Sequence, residues 1–345
     1  MADVQIEWPG ALLKATARSV YLSLRVLPAG VRAQMGLAYL LARTTDTIAD
    51  TELVPVEQRL AALRALAEQI AGTAAGPLNL GELARRQGLP AERELLERVG
   101  ASLAMLGRLA PGDLALVRTV LRIITSGQEL DLRRFAGATG GKVVALDTEA
   151  ELDDYTYRVA GCVGEFWTRL CRAHLFPQAR LDDGRLVAEG IRFGQGLQLV
   201  NILRDLPADL RNGRCYLPRE SLAAAGLTPE TMLLPANAEK FRVYYHGHLD
   251  RAEGHLRAGW NYTNTLPRGC ARVRLACAWM ILIGMRTLER LRAARGAELQ
   301  RRVKVPRSEV RAILVRSVLC YPFPKAWRGL LNARGKAVAS GGELA

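Results

Sequence analysis

The sequence predicts an all-α fold. Long Leu-, Ala- and Arg-rich stretches repeat apolar residues at three- and four-residue spacing, and alternating runs of β-branched residues are scarce. Pro and Gly fall mostly between these stretches, where they act as caps and turns. The first apolar period covers 11–27 and stops at Pro28; the second covers 29–50. Pro55 opens 56–73, and further helices are predicted over 91–108, 111–136 and 149–175, set apart by Pro111 and the glycines of 137–141. After Pro177 comes 182–206; Gly213, Pro218 and Pro235 then lead to 238–264 and 269–294. The small and polar residues of 72–92 predict a flexible surface excursion, too short to link two domains. One domain over 1–345 is expected, with its core within about 11–320 and a disordered tail over 336–345.

With 345 residues, 49% of them hydrophobic, the chain can bury a sizeable core. Its charge of +14 and pI near 10 fit nucleic acid, an anionic membrane surface or anionic substrates. Nucleic acid is disfavoured, since the excess is mostly Arg scattered along helices and no zinc-finger spacing or RRM-type aromatic motif occurs. The six cysteines are dispersed, with no CxxC or metal-ligand pattern, which suits a reducing cytoplasm. No secretory leader is visible and no apolar run approaches the roughly 18 residues of a spanning helix. A cytoplasmic chain, monomeric and in peripheral contact with the inner membrane face, is expected.

Two acidic pairs carry the chemistry. Asp46 and Asp50 in RTTDTIAD, and Asp205 and Asp209 in NILRDLPADL, are each four residues apart, so each pair aims two carboxylates from one helix face. Such a pair often marks a solvated face, but both lie in apolar helical sequence, where an uncompensated carboxylate is costly. A divalent cation compensates it. Oxygen-only donors favour Mg²⁺ or Mn²⁺, and Mg²⁺ typically completes its shell with water and substrate phosphate oxygens. Arg43 and Arg204 stand beside the pairs as phosphate contacts. Gln198 and Asn201 extend the second pair into a polar stripe, and a polar stripe on an apolar helix implies a cavity.

Four further segments stand out: ARSVYLSLRVLP (17–28), YTYRVAGCVG (155–164), RNGRCYLP (211–218) and VKVPR (303–307). Ala160, Gly161 and Gly164 allow either close helix packing or close approach of a ligand. Taken in order with the acidic motifs, the first three resemble the squalene and phytoene synthase family, the head-to-head trans-prenyltransferases, over roughly 15–310.

The resemblance implies a prenyl-synthase helical bundle around a central hydrophobic cavity, with prenyl diphosphates as substrates. It implies metal binding by Asp46, Asp50, Asn201, Asp205 and Asp209, and diphosphate contacts from Arg18, Ser19, Arg43, Gln198, Asn201, Arg204 and Arg214. Tyr155 matches a tyrosine near the reacting carbons, and Tyr262 a second cavity tyrosine. Thr51 and Ala208 stand where relatives often carry further acids, which leaves the number of Mg²⁺ ions open. Similarity of 277–291 and VKVPR to squalene synthases implies NADPH phosphate contacts at Lys304 and Arg307, against the alternative of a solvated basic turn. The expectation is therefore a squalene synthase coupling two farnesyl diphosphates through presqualene diphosphate and reducing the product with NADPH. Phytoene, dehydrosqualene or presqualene diphosphate synthases are the alternatives, a class I terpene cyclase a more distant one, and a non-catalytic helical membrane adaptor the non-enzymatic one.

Overall fold

The computed structural model describes residues 10–17, 21–294 and 303–332, and within them helices dominate. In chain order they are α1 (Gly10–Ala17), α2 (Tyr21–Val26), α3 (Ala29–Asp50), α4 (Val56–Ala71), α5 (Gly81–Arg85), α6 (Pro90–Glu97), α7 (Val99–Leu106) and α8 (Pro111–Arg134). The second half holds α9 (Glu149–Thr156), α10 (Cys162–Leu175), α11 (Asp183–Arg211), α12 (Arg219–Ala224), α13 (Ala238–Thr265), α14 (Ala271–Ala293), α15 (Arg307–Cys320) and α16 (Pro324–Gly329). Arg18 and Ser19, the expected N-terminal diphosphate contacts, and the tail over 336–345 lie outside the described residues.

The helices pack around two apolar clusters. Leu37, Leu40, Leu41 and Ile48 of α3 join Leu63 and Leu66 of α4 and Val117 and Leu121 of α8 in the first. The second gathers Leu199 and Leu203 of α11, Leu249 and Leu256 of α13, and Ile281 of α14. Each fully buried Leu or Ile contributes about 1.5–3 kcal/mol. Trp167 and Leu175 of α10 touch both clusters, so α10 ties the halves together.

Three departures from the sequence expectation matter for the site. The helix expected over 182–206 runs to Arg211, straight through Pro207. A proline there cannot donate to the carbonyl one turn back, at Leu203. Tyr245 of α13 supplies the missing donor, its hydroxyl lying 2.9 Å from the Leu203 carbonyl oxygen. Asp209 therefore stays on the same helix as Asp205. Second, the helix expected over 149–175 contains a π-helical turn, Tyr157–Gly161, which re-aims the side chains that follow. Third, 72–92 is only partly a surface excursion: 72–77 is exposed, but Leu80 and, within α5, Leu83 and Ala84 are buried, their apolar area outweighing the polar composition around them.

The one sheet among the described residues is two residues per strand. β1 (Val144–Ala145) pairs in parallel with β2 (Arg214–Cys215), Val144 opposite Arg214. Gly213 precedes β2 with φ +75°, and a Cβ there would meet the Thr139 carbonyl oxygen at 2.2 Å, so the close turn requires glycine. This clasp fixes Arg214 at the end of α11.

Candidate active site

Six helices, α2, α3, α8, α10, α11 and α14, enclose an apolar cavity of about 400 Å³. Met35, Ala38 and Ala42 of α3, Val120 and Ile124 of α8, and Leu197 of α11 form its sides. Phe166, Trp167 and Phe193 add aromatic wall, and α14 contributes Ala276, Cys277 and Met280. Ala160, Gly164 and Gly194 line it as well, and the same residues let α10 and the π-turn press against α11. A Cβ on Gly164 would lie 1.9 Å from the Gly190 carbonyl oxygen, and one on Gly194 2.1 Å from that of Ala160. Both readings of the small-residue stretch, helix packing and ligand approach, hold at once.

At Asp46 and Val159 this cavity meets a polar chamber of about 240 Å³. Asp46, Asp50, Gln198, Arg214 and Tyr155, all anticipated, face the chamber; so do Arg59, Gln128, Asp131 and Tyr216, which were not. Gln128 and Asp131 interrupt the apolar period of α8 three residues apart, a signal that was present in the sequence. Asn201 lines the apolar cavity at its polar end and lies 3.4 Å from Gln198.

The first pair is held firmly. Gln128 Nε2 donates to Asp46 Oδ1 at 2.7 Å, and Arg43 spans Asp46 (3.3 Å) and Glu92 (2.5 Å). Asp46 lies deep between helices, yet 51% of its side-chain surface opens onto the cavity. In the second pair, Arg204 chelates Asp205 through contacts of 3.0 and 2.5 Å. Arg214 reaches Glu52 at 3.0 Å, and Arg59 donates to the Ala49 carbonyl oxygen, closing the C-terminal turn of α3.

Carboxylates outnumber cations here, and their protonation reflects it. Burial, then the neighbouring Asp46 charge, pushes Asp50 up to about 6. Burial, then the Asp205 charge, takes Asp209 to about 7. Asp46 is raised chiefly by burial, and Asp131 reaches about 6 for the same reason. The Tyr216 hydroxyl donates to Asp131 Oδ2 at 2.8 Å, and the Tyr216 ring stacks on Tyr155 with centroids 4.6 Å apart. Burial holds the Tyr155 phenol protonated, so its ring faces the chamber as a neutral π surface.

Raised carboxyl pKa values in an all-oxygen donor set mark a place where positive charge is wanting, which a hard divalent cation supplies. Among the described residues no three or more His, Cys, Asp or Glu side chains converge tightly enough to hold a metal ion by themselves. One or two carboxylates per ion, with remaining positions open to water and phosphate, is how Mg²⁺ is usually bound. The residues present therefore fit Mg²⁺ held jointly with a diphosphate.

Six expected contributors line neither the cavity nor the chamber: Arg204, Asp205 and Asp209 of α11, and Tyr262, Lys304 and Arg307. Tyr262 is fully buried in the core; its ring centroid is 6.5 Å from that of Phe193, its hydroxyl accepts from Thr168 at 3.3 Å, and it lines neither cavity. Phe193 occupies the wall position that Tyr262 was expected to fill. Lys304 and Arg307 are exposed around the start of α15 and line neither cavity.

An apolar pocket joined to an acidic, arginine-edged chamber defines a helical synthase for substrates with a hydrocarbon tail and an anionic head. The chain belongs to the squalene/phytoene synthase family, which it matches over residues 13–309. It is 32% identical to the presqualene diphosphate synthase of Rhodopseudomonas palustris over 74% of this chain and 77% of that one. It is 30% identical to a bifunctional lycopene cyclase/phytoene synthase of Gibberella fujikuroi over 79% of this chain, but spans only 46% of that protein. Among solved structures, TcSQS in complex with the ligand E5700 superposes with a TM-score of 0.75 at 23% identity, covering 98% of this chain and 94% of that one. Squalene synthase HpnC from Alicyclobacillus acidocaldarius gives 0.59 at 21%, covering 84% and 93%. These likenesses bear out the expected helical prenyl-synthase fold. The family is one of head-to-head prenyltransferases, whose substrates are prenyl diphosphates. No helix among the described residues is long and apolar enough to cross a membrane.

Proposed function

We propose that this chain condenses two farnesyl diphosphates head to head in a Mg²⁺-dependent reaction and releases presqualene diphosphate. The length of the apolar cavity carries the chain-length assignment. From Asp46 to Met35 the cavity wall follows α3 for eleven residues, a rise of about 16 Å. At about 1.2 Å of advance per bond in an extended chain, the twelve-carbon backbone of a farnesyl group spans about 13 Å and the sixteen-carbon backbone of a geranylgeranyl group about 18 Å. A farnesyl chain is the better match to this stretch of cavity wall, which it does not overrun.

Mg²⁺ held by Asp46, Asp50, Asn201, Asp205 and Asp209 with substrate oxygens would neutralise the diphosphate and stabilise its departing charge. Arg43, Arg204 and Arg214 add hydrogen-bonding cations at the same edge. The allylic C1–O bond of one substrate breaks and pyrophosphate leaves with the electron pair. The double bond of the second substrate attacks the cationic carbon, and loss of a proton closes the cyclopropane, giving one cyclopropylcarbinyl diphosphate, one pyrophosphate and one proton. Apolar walls exclude the water that would quench the cation, while the ring of Tyr155 offers π density to it.

Release at this stage is favoured over reduction to squalene because relatives of comparable similarity are presqualene diphosphate synthases. The test is incubation with farnesyl or geranylgeranyl diphosphate and Mg²⁺, with and without NADPH, followed by mass analysis. Presqualene diphosphate from the C15 substrate, unchanged by NADPH, is expected. Squalene appearing only with NADPH would make the chain a squalene synthase, and preferential coupling of the C20 substrate would overturn the chain-length assignment.

A further inference from the structure

Helix α15 leaves an apolar face uncovered. Val315, Val318, Leu319 and Phe323 are 59%, 49%, 67% and 64% exposed, a concentration found nowhere else among the exposed large hydrophobic residues described. Their spacing is helical, so Val315 and Leu319 form one stripe that Phe323 continues just beyond the helix end. The opposite face holds α15 to the bundle: buried Ser317 accepts from Trp279 Nε1 at 2.8 Å, and the Tyr321 hydroxyl donates to the Arg268 carbonyl oxygen at 2.6 Å. Exposure of the outer stripe is thus a consequence of how the helix is anchored, not of fraying.

The surroundings of the stripe are cationic. Between 303 and 332 the sequence has six basic residues, Lys304, Arg307, Arg311, Arg316, Lys325 and Arg328, against one acid, Glu309. That acid is engaged inward, with Arg290 at 2.7 Å and Arg286 at 3.4 Å. Arg311 and Arg316 are exposed and flank the stripe on α15, while Lys325 and Arg328 extend the charge beyond Phe323. An apolar stripe flanked by Arg and Lys has the composition of a helix lying at a lipid interface, side chains inserted among acyl chains and cations on anionic headgroups.

We propose that the outer face of α15, with Phe323, docks this protein on an anionic lipid bilayer. Charge complementarity selects this occupant: a second copy would bring the same arginines face to face. The placement also suits an apolar product. Trp279 holds α15 from one side of α14, while Ala276, Cys277 and Met280 of the same helix line the hydrocarbon cavity, so one helix separates the docked face from the pocket.

The experiment uses the full chain without substrate, so its outcome is independent of which product the enzyme makes. Sedimentation is measured with vesicles of phosphatidylcholine alone and of phosphatidylcholine with phosphatidylglycerol, at low and high salt. The native chain is expected to partition at least tenfold more strongly onto the anionic vesicles, with the preference lost at high salt. The triple variant Val315→Glu, Leu319→Glu, Phe323→Glu should lower that partition at least tenfold with unchanged helical circular dichroism. The variant Arg311→Gln, Arg316→Gln, Lys325→Gln, which alters only exposed charges, should abolish the preference for anionic lipid and guards against misfolding of the first. Equal binding to both vesicle types, or undiminished partition of either variant, overturns the proposal. A native dimer that the triple Glu variant converts to monomer, without vesicle binding by either, would instead make this face an interface between copies.

Discussion

Replacing Asp131 by Asn should make the protein gain stability, relative to native, as pH rises from acid to neutral. Asp131 is buried behind the acidic pairs, with one oxygen bonded to Tyr216 and the other, Oδ1, without a protein partner. Burial raises its carboxyl from 3.8 to about 6, against the opposing pull of the Tyr216 hydrogen bond and of Arg214 and Arg134. A group that holds its proton more tightly folded than unfolded makes stability fall as pH rises between the two values, here from about 4 to about 6. Below about pH 4 both states are protonated and the penalty is absent; above about pH 6 it is complete. Two units at about 1.36 kcal/mol each amount to about 3 kcal/mol, reduced toward about 2 by partial exposure. With about 2.1 cal/mol/K per residue over 345 residues, that is about 3–4 °C in Tm. Asn can keep the acceptor for Tyr216 while removing the charge, at a pH-independent cost of about 1–2 kcal/mol for an amide hydrogen left without a partner. The assay is thermal unfolding of both proteins, without divalent cations, at about pH 4.5 and about pH 8. The variant's Tm relative to native should rise by about 2 °C between the two, since about a third of the penalty is already present at about pH 4.5. A gap that is the same at both pH values would refute the argument, since a packing effect does not titrate.

Asp46→Ala or Asp205→Ala should abolish Mg²⁺-dependent product formation with little change in Tm; retained turnover would remove the metal assignment. Met35→Ala, which shortens a side chain lining the cavity eleven residues from Asp46 along α3, should raise the geranylgeranyl-to-farnesyl turnover ratio at least tenfold while costing about 2 kcal/mol, and an unchanged ratio would show that Met35 does not limit chain length. Tyr245→Phe strands the Leu203 carbonyl that Pro207 leaves unsatisfied, so a loss of about 1–2 kcal/mol in urea titration and a several-fold lower affinity for Mg²⁺ are expected. Gly194→Ala places a methyl against backbone that cannot rotate aside; a loss of several kcal/mol in the same titration is the expected result, and a stable variant would mean that α11 and the π-turn can separate.

The acidic pairs were legible because helical geometry is local: residues four apart share a face wherever the helix sits. Gln198 and Asn201 joined them by the same rule, and the apolar sequence around them implied the cavity. The expected helix stops at 206, just before Pro207, whereas α11 continues because the donor that replaces the missing one comes from Tyr245, some forty residues away. Asp131 was hidden for a related reason. Its polar partner Gln128 was visible one turn earlier, but the convergence of α8 on α3 that puts both beside Asp46 is a packing outcome. Tyr262 shows the opposite case, a polar-tipped aromatic whose hydroxyl finds Thr168 inside the core while Phe193 takes the wall.

By itself, the sequence determined the helical class, most helix positions, the two aspartate pairs and the kinship that follows from their order along the chain. Each depends on spacing within a few turns or on the linear sequence of motifs, which survive without knowledge of the fold. Tertiary structure alone decided how large the apolar cavity is, which aromatic side chains line it, how far α11 extends, and which carboxyls are pushed toward neutrality. Those properties arise from burial and from charges brought together across helices, and no window of sequence contains them.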